Sequence, residues 1–157
     1  MIYIAHIRPL LDFCSPVWNT GYITDIRSLE AVQQRWTKRI DGFSDMQYSD
    51  RLRHLSLFSI WGRLLRADLV LAWKITHELS PPLANILSQS GAGITRGHRF
   101  KLVVYRSETE ARRRFFTRRV VTTWNNLPSH VVESTSLDMF KSRLHKALGD
   151  LLYYYHD

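Results

Sequence analysis

Cysteine is nearly missing: Cys14 stands alone among 157 residues. One cysteine excludes an internal disulfide framework and any cysteine-based zinc site. That scarcity fits an intracellular protein, in the nucleus, the cytoplasm or both. Long apolar runs are missing too. The opening "MIYIAHIRPLLDFC" is broken by His6, Arg8 and Pro9, too early for a membrane span or a secretory leader. Catalytic signatures are also lacking: no Walker-type glycine loop with its lysine, no H-E-x-x-H and no G-x-S-x-G. The seven histidines are scattered, and none pairs at i, i+4 with a second metal ligand. No metal, cofactor or small-molecule substrate is expected. Neither an internal repeat nor a low-complexity tract is present.

What is there is enough apolar material for a core, 45% of the chain, and a very uneven charge. The net charge is +8, yet the segment from Arg96 to Arg119 sets nine Lys/Arg against only Glu108 and Glu110. Such a patch concentrates polyanions, nucleic acid first. An anionic membrane surface and a solvated basic face without a partner are the competing readings; nucleic acid is favoured and membrane least.

The centre of that segment is "RRRFFTRR", with five arginines around Phe115 and Phe116. At roughly 100° per residue, Phe116, Val120, Trp124 and Leu127 share one arc of a helix. Phe115 falls outside that arc, with Arg112 on one side and Arg118 and Arg119 on the other. Arg113 falls within the apolar arc. An aromatic ring among arginines can stack a base or brace guanidinium groups; packing between lobes is an equal alternative.

Helical periodicity dominates the rest, so the fold class is mainly α with one or two short β-strands. Pro9 opens a short helix that ends before Pro16, and "SPVWNTGY" reads as a turn. Thr24 reads as the cap of a helix carrying Ile26, Leu29, Val32 or Gln33, Trp36 and Ile40, closed by Gly42. Ser49 reads as the cap of a short helix, and Ser59 as the cap of a long one that Pro81 and Pro82 stop. Apolar residues nearly encircle that long helix, which places it centrally. The glycine-rich "SQSGAGITRGH" is a linker candidate, giving units at 1–88 and 99–157 joined by 89–98.

After the linker, "FKLVVYR" favours a strand, and Gly97-His98 a glycine turn that opens it. Ser107 with Glu110 has capping-box form. Thr135 or Ser136 opens a last helix with Phe140, Leu144 and Leu148, and "YYYHD" reads as a frayed or partner-dependent tail. Asp68 lies within the all-round apolar helix, so it needs an arginine, Arg113 being one candidate. The five tryptophans read as core and interface residues.

Five ordered blocks carry a resemblance: "IRPLLDFCSPVWNTG", "DIRSLEAVQQRWTKRIDGF", "YSDRLRHLSLFSIWGRLLRADLVLAWKI", "TRGHRFKL" and "RRRFFTRRVVTTWNNLP…SLDMFKSRLHKAL". They resemble the region C-terminal to the polymerase core in LINE-type (non-LTR) retrotransposon reverse transcriptases of the jockey and chicken-repeat groups. The resemblance runs from Arg8 to Leu148. It implies a thumb-like helical lobe at 1–88, with Arg35, Lys38 and Arg39 facing phosphates, followed by a smaller basic helical lobe that contacts template RNA or target DNA. The fingers, the palm and their metal-binding aspartate pair have no counterpart here, and two-metal nucleotidyl transfer needs those carboxylates.

The expectation is therefore a non-enzymatic nucleic-acid-binding fragment of an RNA-directed DNA polymerase, either a truncated copy or the tail of a longer enzyme. Its contacts to RNA or RNA–DNA duplex would run through Arg35, Lys38, Arg39, Arg99, Lys101, Arg112, Arg114, Phe115, Arg118 and Arg119. The rival is a protein-interaction or structural remnant that packs on a polymerase palm or another protein. Exposed tryptophans near Trp18 and Trp36 would favour that rival, because a lost palm would leave an apolar patch.

Overall fold

The computed structural model describes residues 3–83, 85–90 and 97–155. Nine α-helices form among the described residues: α1 (Arg8–Asp12), α2 (Ser15–Trp18), α3 (Ile23–Lys38), α4 (Tyr48–His54), α5 (Ile60–Thr76), α6 (Glu110–Arg114), α7 (Phe116–Asn125), α8 (Ser129–Val132) and α9 (Leu137–Leu148). The fold is mainly α. The strand expected at "FKLVVYR" reduces to one isolated antiparallel bridge, Gln89 to Leu102. None of these helices is long and apolar enough to cross a membrane.

The long central helix forms as its sequence dictates. Ser59 caps it by accepting from the Gly62 amide at 3.0 Å, one of the orphan donors of a helix start. Its Leu69, Ala72 and Trp73 enter the main core beside Phe116, Val120 and Trp124 of α7 and Phe140 and Leu144 of α9. That core draws on residues from both sides of the 89–98 boundary, so the two halves share it. Most of the linker itself, 91–96, lies outside the described residues. Trp73 and Trp124 are buried, and each indole N–H finds a carbonyl, Val132 and Phe100 respectively.

Beneath the start of α5 lies a buried polar cluster on α3. The Glu30 carboxylate accepts from the Ile60 amide at 2.7 Å and from the Tyr48 hydroxyl. Burial pushes this carboxyl above its ordinary range, and the Tyr48 and backbone hydrogen bonds pull it back. Gln33, fully buried, donates to Tyr48 Oη and to the Phe58 carbonyl. Gln33 thus takes the inward position for which Val32 was the alternative.

Several local expectations shift. "SPVW" is a helical turn, entered through Cys14 in the left-handed region at φ 50°. Thr24 sits inside the first turn of α3, because Tyr22 is its cap residue. Ser49 likewise lies within α4, which starts at Tyr48, and α3 ends at Lys38, before Gly42. The C-terminal segment is packed, contrary to a frayed tail. A 3₁₀ turn over Gly149–Tyr153 buries Leu152, whose carbonyl accepts from the Ser59 amide at 2.9 Å. Tyr153, Tyr154 and Tyr155 then meet Phe58, Trp61 and Tyr48 edge-on. His156 and Asp157 lie outside the described residues.

Candidate nucleic-acid interface

The arginine-rich segment is two helices, not one. Thr109, two residues past the expected Ser107, caps α6 by accepting from the Arg112 amide at 3.3 Å. Glu110 in the first turn pairs with Arg113 and Arg114 at i+3 and i+4. The helix then breaks at Phe115, whose ψ of 146° is extended, and restarts as α7 with Phe115 as its cap residue. The break has a packing reason. In an unbroken helix Arg113 would fall within the arc of Phe116, at i−3, and be carried into the core with it, with Arg112 at the arc's edge. Breaking at Phe115 lets Phe116 go in while the arginines upstream stay wet.

Phe116, Val120, Trp124 and Leu127 are all buried, as the wheel over α7 requires. Phe115 is 52% exposed, with the Arg112 guanidinium 5.7 Å from its ring centre. Arg118 lies over the Tyr105 ring at 4.7 Å, and its Nε is buried without an acceptor among the described residues. Together Tyr105, Arg106, Arg113 and Arg118 line an open cleft of about 570 Å³ between the 104–107 segment and α7. Arg113 donates Nε to the Ser107 carbonyl, which tethers that segment to α6. Arg113 is not the partner of Asp68.

That partner is Arg119, which the wheel placed outward with Arg112 and Arg118. Arg119 instead turns inward and spends its donors on five acceptors: both Asp68 carboxylate oxygens and the carbonyls of Asn19, Arg114 and Pro16. A guanidinium has five N–H donors, so none remains for a phosphate. Arg114 is similarly committed to Glu110, to the Gly21 carbonyl and to the Tyr22 ring. Both belong to the seam between α7 and the start of α3.

The remaining expected contacts are dispersed. Lys101 donates Nζ to the carbonyl of Asn125, the last residue of α7, where a cation complements the helix dipole. Arg99 lies over the ring of Phe100, whose carbonyl accepts from Trp124 near that same end. That end, at Asn125, is roughly 10 Å along α7 from Arg118, at 1.5 Å per residue. Arg35, Lys38 and Arg39 are exposed at the C-terminal end of α3. Arg114 touches the opposite end, at Tyr22, so those three sit about 20 Å away along the helix. The structure therefore brings together Arg112, Phe115 and Arg118, adds Tyr105, Arg106 and Arg113, and withdraws Arg114 and the donors of Arg119, whose side chain still lines the cleft.

His98 is buried, its Nε2 3.1 Å from the Trp124 carbonyl and its ring edge-on to that indole. It packs behind the glycine turn, where Gly97 has φ 121°. Comparisons with family models, curated proteins and solved structures give no match for this chain.

Proposed function

We propose that this chain is a non-catalytic nucleic-acid-binding module, of the kind found behind the polymerase core of non-LTR reverse transcriptases. It grips RNA, or RNA–DNA duplex, through phosphates with little sequence preference. The observation that carries this reading is the face formed by the exposed Arg106, Arg112 and Arg113 and the half-buried Arg118, set with the rings of Tyr105 and Phe115. Guanidinium groups braced on aromatic rings give both a positive track and stacking platforms, the two elements single-strand binders combine. Within a cell the partner would be met in the nucleus or cytoplasm.

The test is the salt dependence of binding to unstructured RNA, because each phosphate contact releases counterions. The Arg112→Ala/Arg118→Ala variant should weaken every sequence alike and flatten the log–log slope by about 1 to 1.5 units. Equal binding by wild type and variant would reduce the face to solvated surface. The isolated chain should also extend no primer on an RNA template with Mg²⁺ or Mn²⁺; extension above a heat-killed control would refute the non-catalytic reading.

One observation favours the protein-interaction alternative. Leu10, Phe13 and Val17 of the α1–α2 region are 76%, 75% and 80% exposed, and Leu10, Leu11 and the exposed Trp18 border an apolar groove with Ile26 and Leu29, whereas Trp36 is half-buried. Replacing Leu10 and Phe13 by serine separates the readings: RNA affinity should be unchanged, while self-association or capture of a polymerase core would be lost.

A further inference from the structure

A second concentration of positive charge lies on α5, away from the arginine–aromatic face. Arg63, Arg66, Val70 and Lys74 follow at spacings of three, four and four, which aligns them along one face of the helix. Arg8 of α1 lines the same cleft, whose volume is about 360 Å³. Four cations there meet one carboxylate among the described lining residues. That carboxylate, Asp12, is already shared between Arg8 and Arg63, at 3.3 Å from each. Arg63 is held further by Gln33 Oε1 at 3.0 Å.

Arg66 and Lys74 are left over. Neither makes a hydrogen bond or ion pair among the described residues, and the Arg66 Nε is buried without an acceptor. Burial, and then the like charge of Arg8, pull the Arg66 guanidinium below its ordinary range, and the charge of Asp12 raises it only in part. A half-buried arginine held beside another arginine is a cost to the fold unless something anionic answers it. The floor of the cleft is apolar, with Phe58, Val70 and Leu71, so a bare ion would leave that surface wet.

We infer that this cleft binds an organic phosphate monoester, its dianionic head between Arg8 and Arg66 within reach of Lys74 and its apolar body on Phe58, Val70 and Leu71. A monoester carries close to two negative charges near neutral pH, enough to answer the two unpaired cations. A diester carries one. Arginine also suits phosphate through paired, parallel hydrogen bonds. The site uses none of the residues proposed to bind RNA, so it stands or falls independently of that function.

Phenyl phosphate is the probe, titrated calorimetrically at fixed ionic strength beside inorganic phosphate and benzenesulfonate. Wild type should bind phenyl phosphate at least about tenfold more tightly than either control, as a charge-assisted site with an apolar floor requires. Arg66→Gln should lose about tenfold or more of that affinity while keeping wild-type RNA binding. Its melting temperature without ligand should equal or exceed wild type, because an uncompensated charge is gone. Should Arg66→Gln fold poorly, Lys74→Gln at the cleft edge must show the same selective loss. The inference is overturned by no binding at about 10 mM phenyl phosphate, by equal affinity for inorganic phosphate, or by unchanged affinity in both variants. A loss of RNA affinity in Arg66→Gln would overturn it as well, since the occupant would then be a nucleic-acid strand.

Discussion

Asp68 and Arg119 meet in two parallel hydrogen bonds, Nε to Oδ2 at 2.7 Å and Nη2 to Oδ1 at 2.9 Å. The pair ties α5 to α7, and the remaining Arg119 donors fasten the carbonyls of Pro16 and Asn19 to the same point. Burial pushes the Asp68 carboxyl above its ordinary range, while the hydrogen bonds and charge of Arg119 pull it back. Desolvation thus offsets much of the attraction, and the pair's role is to fix how three segments meet.

Breaking one side of such a pair strands the other. We predict that Asp68→Ala lowers stability by about 3–5 kcal/mol in urea denaturation at neutral pH. Arg119→Ala should be at least as damaging, since it also strips partners from three carbonyls, yet RNA affinity of the folded fraction should be unchanged. A cost under roughly 0.5 kcal/mol for Asp68→Ala would mean the carboxylate is solvated.

Gly62 offers a second check on how the C-terminal turn is held. A Cβ at this position would fall 2.4 Å from the Leu152 carbonyl oxygen, inside any permitted contact. Alanine would gain helix propensity, about 1 kcal/mol, but must push the buried Leu152 turn away from the start of α5. Gly62→Ala should therefore be net destabilising, by roughly 1–3 kcal/mol. A stabilised Gly62→Ala variant would show that the 149–153 turn yields easily.

Much of this architecture was legible in periodicity. Ser59, the encircled α5, the Phe116/Val120/Trp124/Leu127 arc and the Phe140/Leu144/Leu148 stripe follow from apolar spacing and local capping. The need of Asp68 for an arginine was legible too, because burial of a lone carboxylate is costly whatever the fold. Which arginine was not. A wheel assumes one unbroken helix, and the break at Phe115 resets the phase upstream of it, so Arg113 leaves the apolar arc. Arg119 keeps its phase at the edge of that arc and enters the seam because Asp68 and the carbonyls of Pro16 and Asn19 pack against that edge. Tyr105 and Arg106 joined the site by tertiary placement of an irregular segment, for which local sequence carries no period. The spacing of Arg63, Arg66 and Lys74 was visible, but Arg8 reaches that face only once α1 packs on α5.

Acid should expose the burial of His98. A carbonyl can only accept, so Nε2 donates to Trp124 and the bare Nδ1 is buried without a partner. Burial holds this imidazole below its ordinary value of 6.5; the Trp124 hydrogen bond raises it in part, Lys101 lowers it and Glu133 raises it. With the folded pKa depressed, the unfolded chain takes up the proton first. The stabilising contribution is thus present above about pH 6.5 and lost as pH falls through the folded value. His77, also lowered by burial, acts with the same sign. Denaturation from about pH 7 to 5 should show a shallower fall for His98→Phe than for wild type. Parallel curves would mean the ring titrates normally.

The last prediction concerns Phe115, which occupies a cap position that its own chemistry does not serve. Its side chain makes no hydrogen bond to the start of α7, although its backbone is extended as a cap residue requires and its carbonyl accepts from Arg118 and Arg119. Serine there would satisfy an orphan amide, worth about 0.5–2 kcal/mol relative to a non-capping residue. A ring that is 52% exposed loses little packing on removal. Stability alone therefore favours Phe115→Ser, and the phenylalanine needs another reason to be there. If the ring stacks a base, Phe115→Ser should melt at the same or a higher temperature and still bind RNA about 1–3 kcal/mol more weakly. Its salt slope should match wild type, because no phosphate contact is removed. A lower melting temperature with intact affinity would assign Phe115 to packing. In that case both phenylalanines would be structural, Phe116 seated in the core and Phe115 bracing Arg112 at the break between two helices.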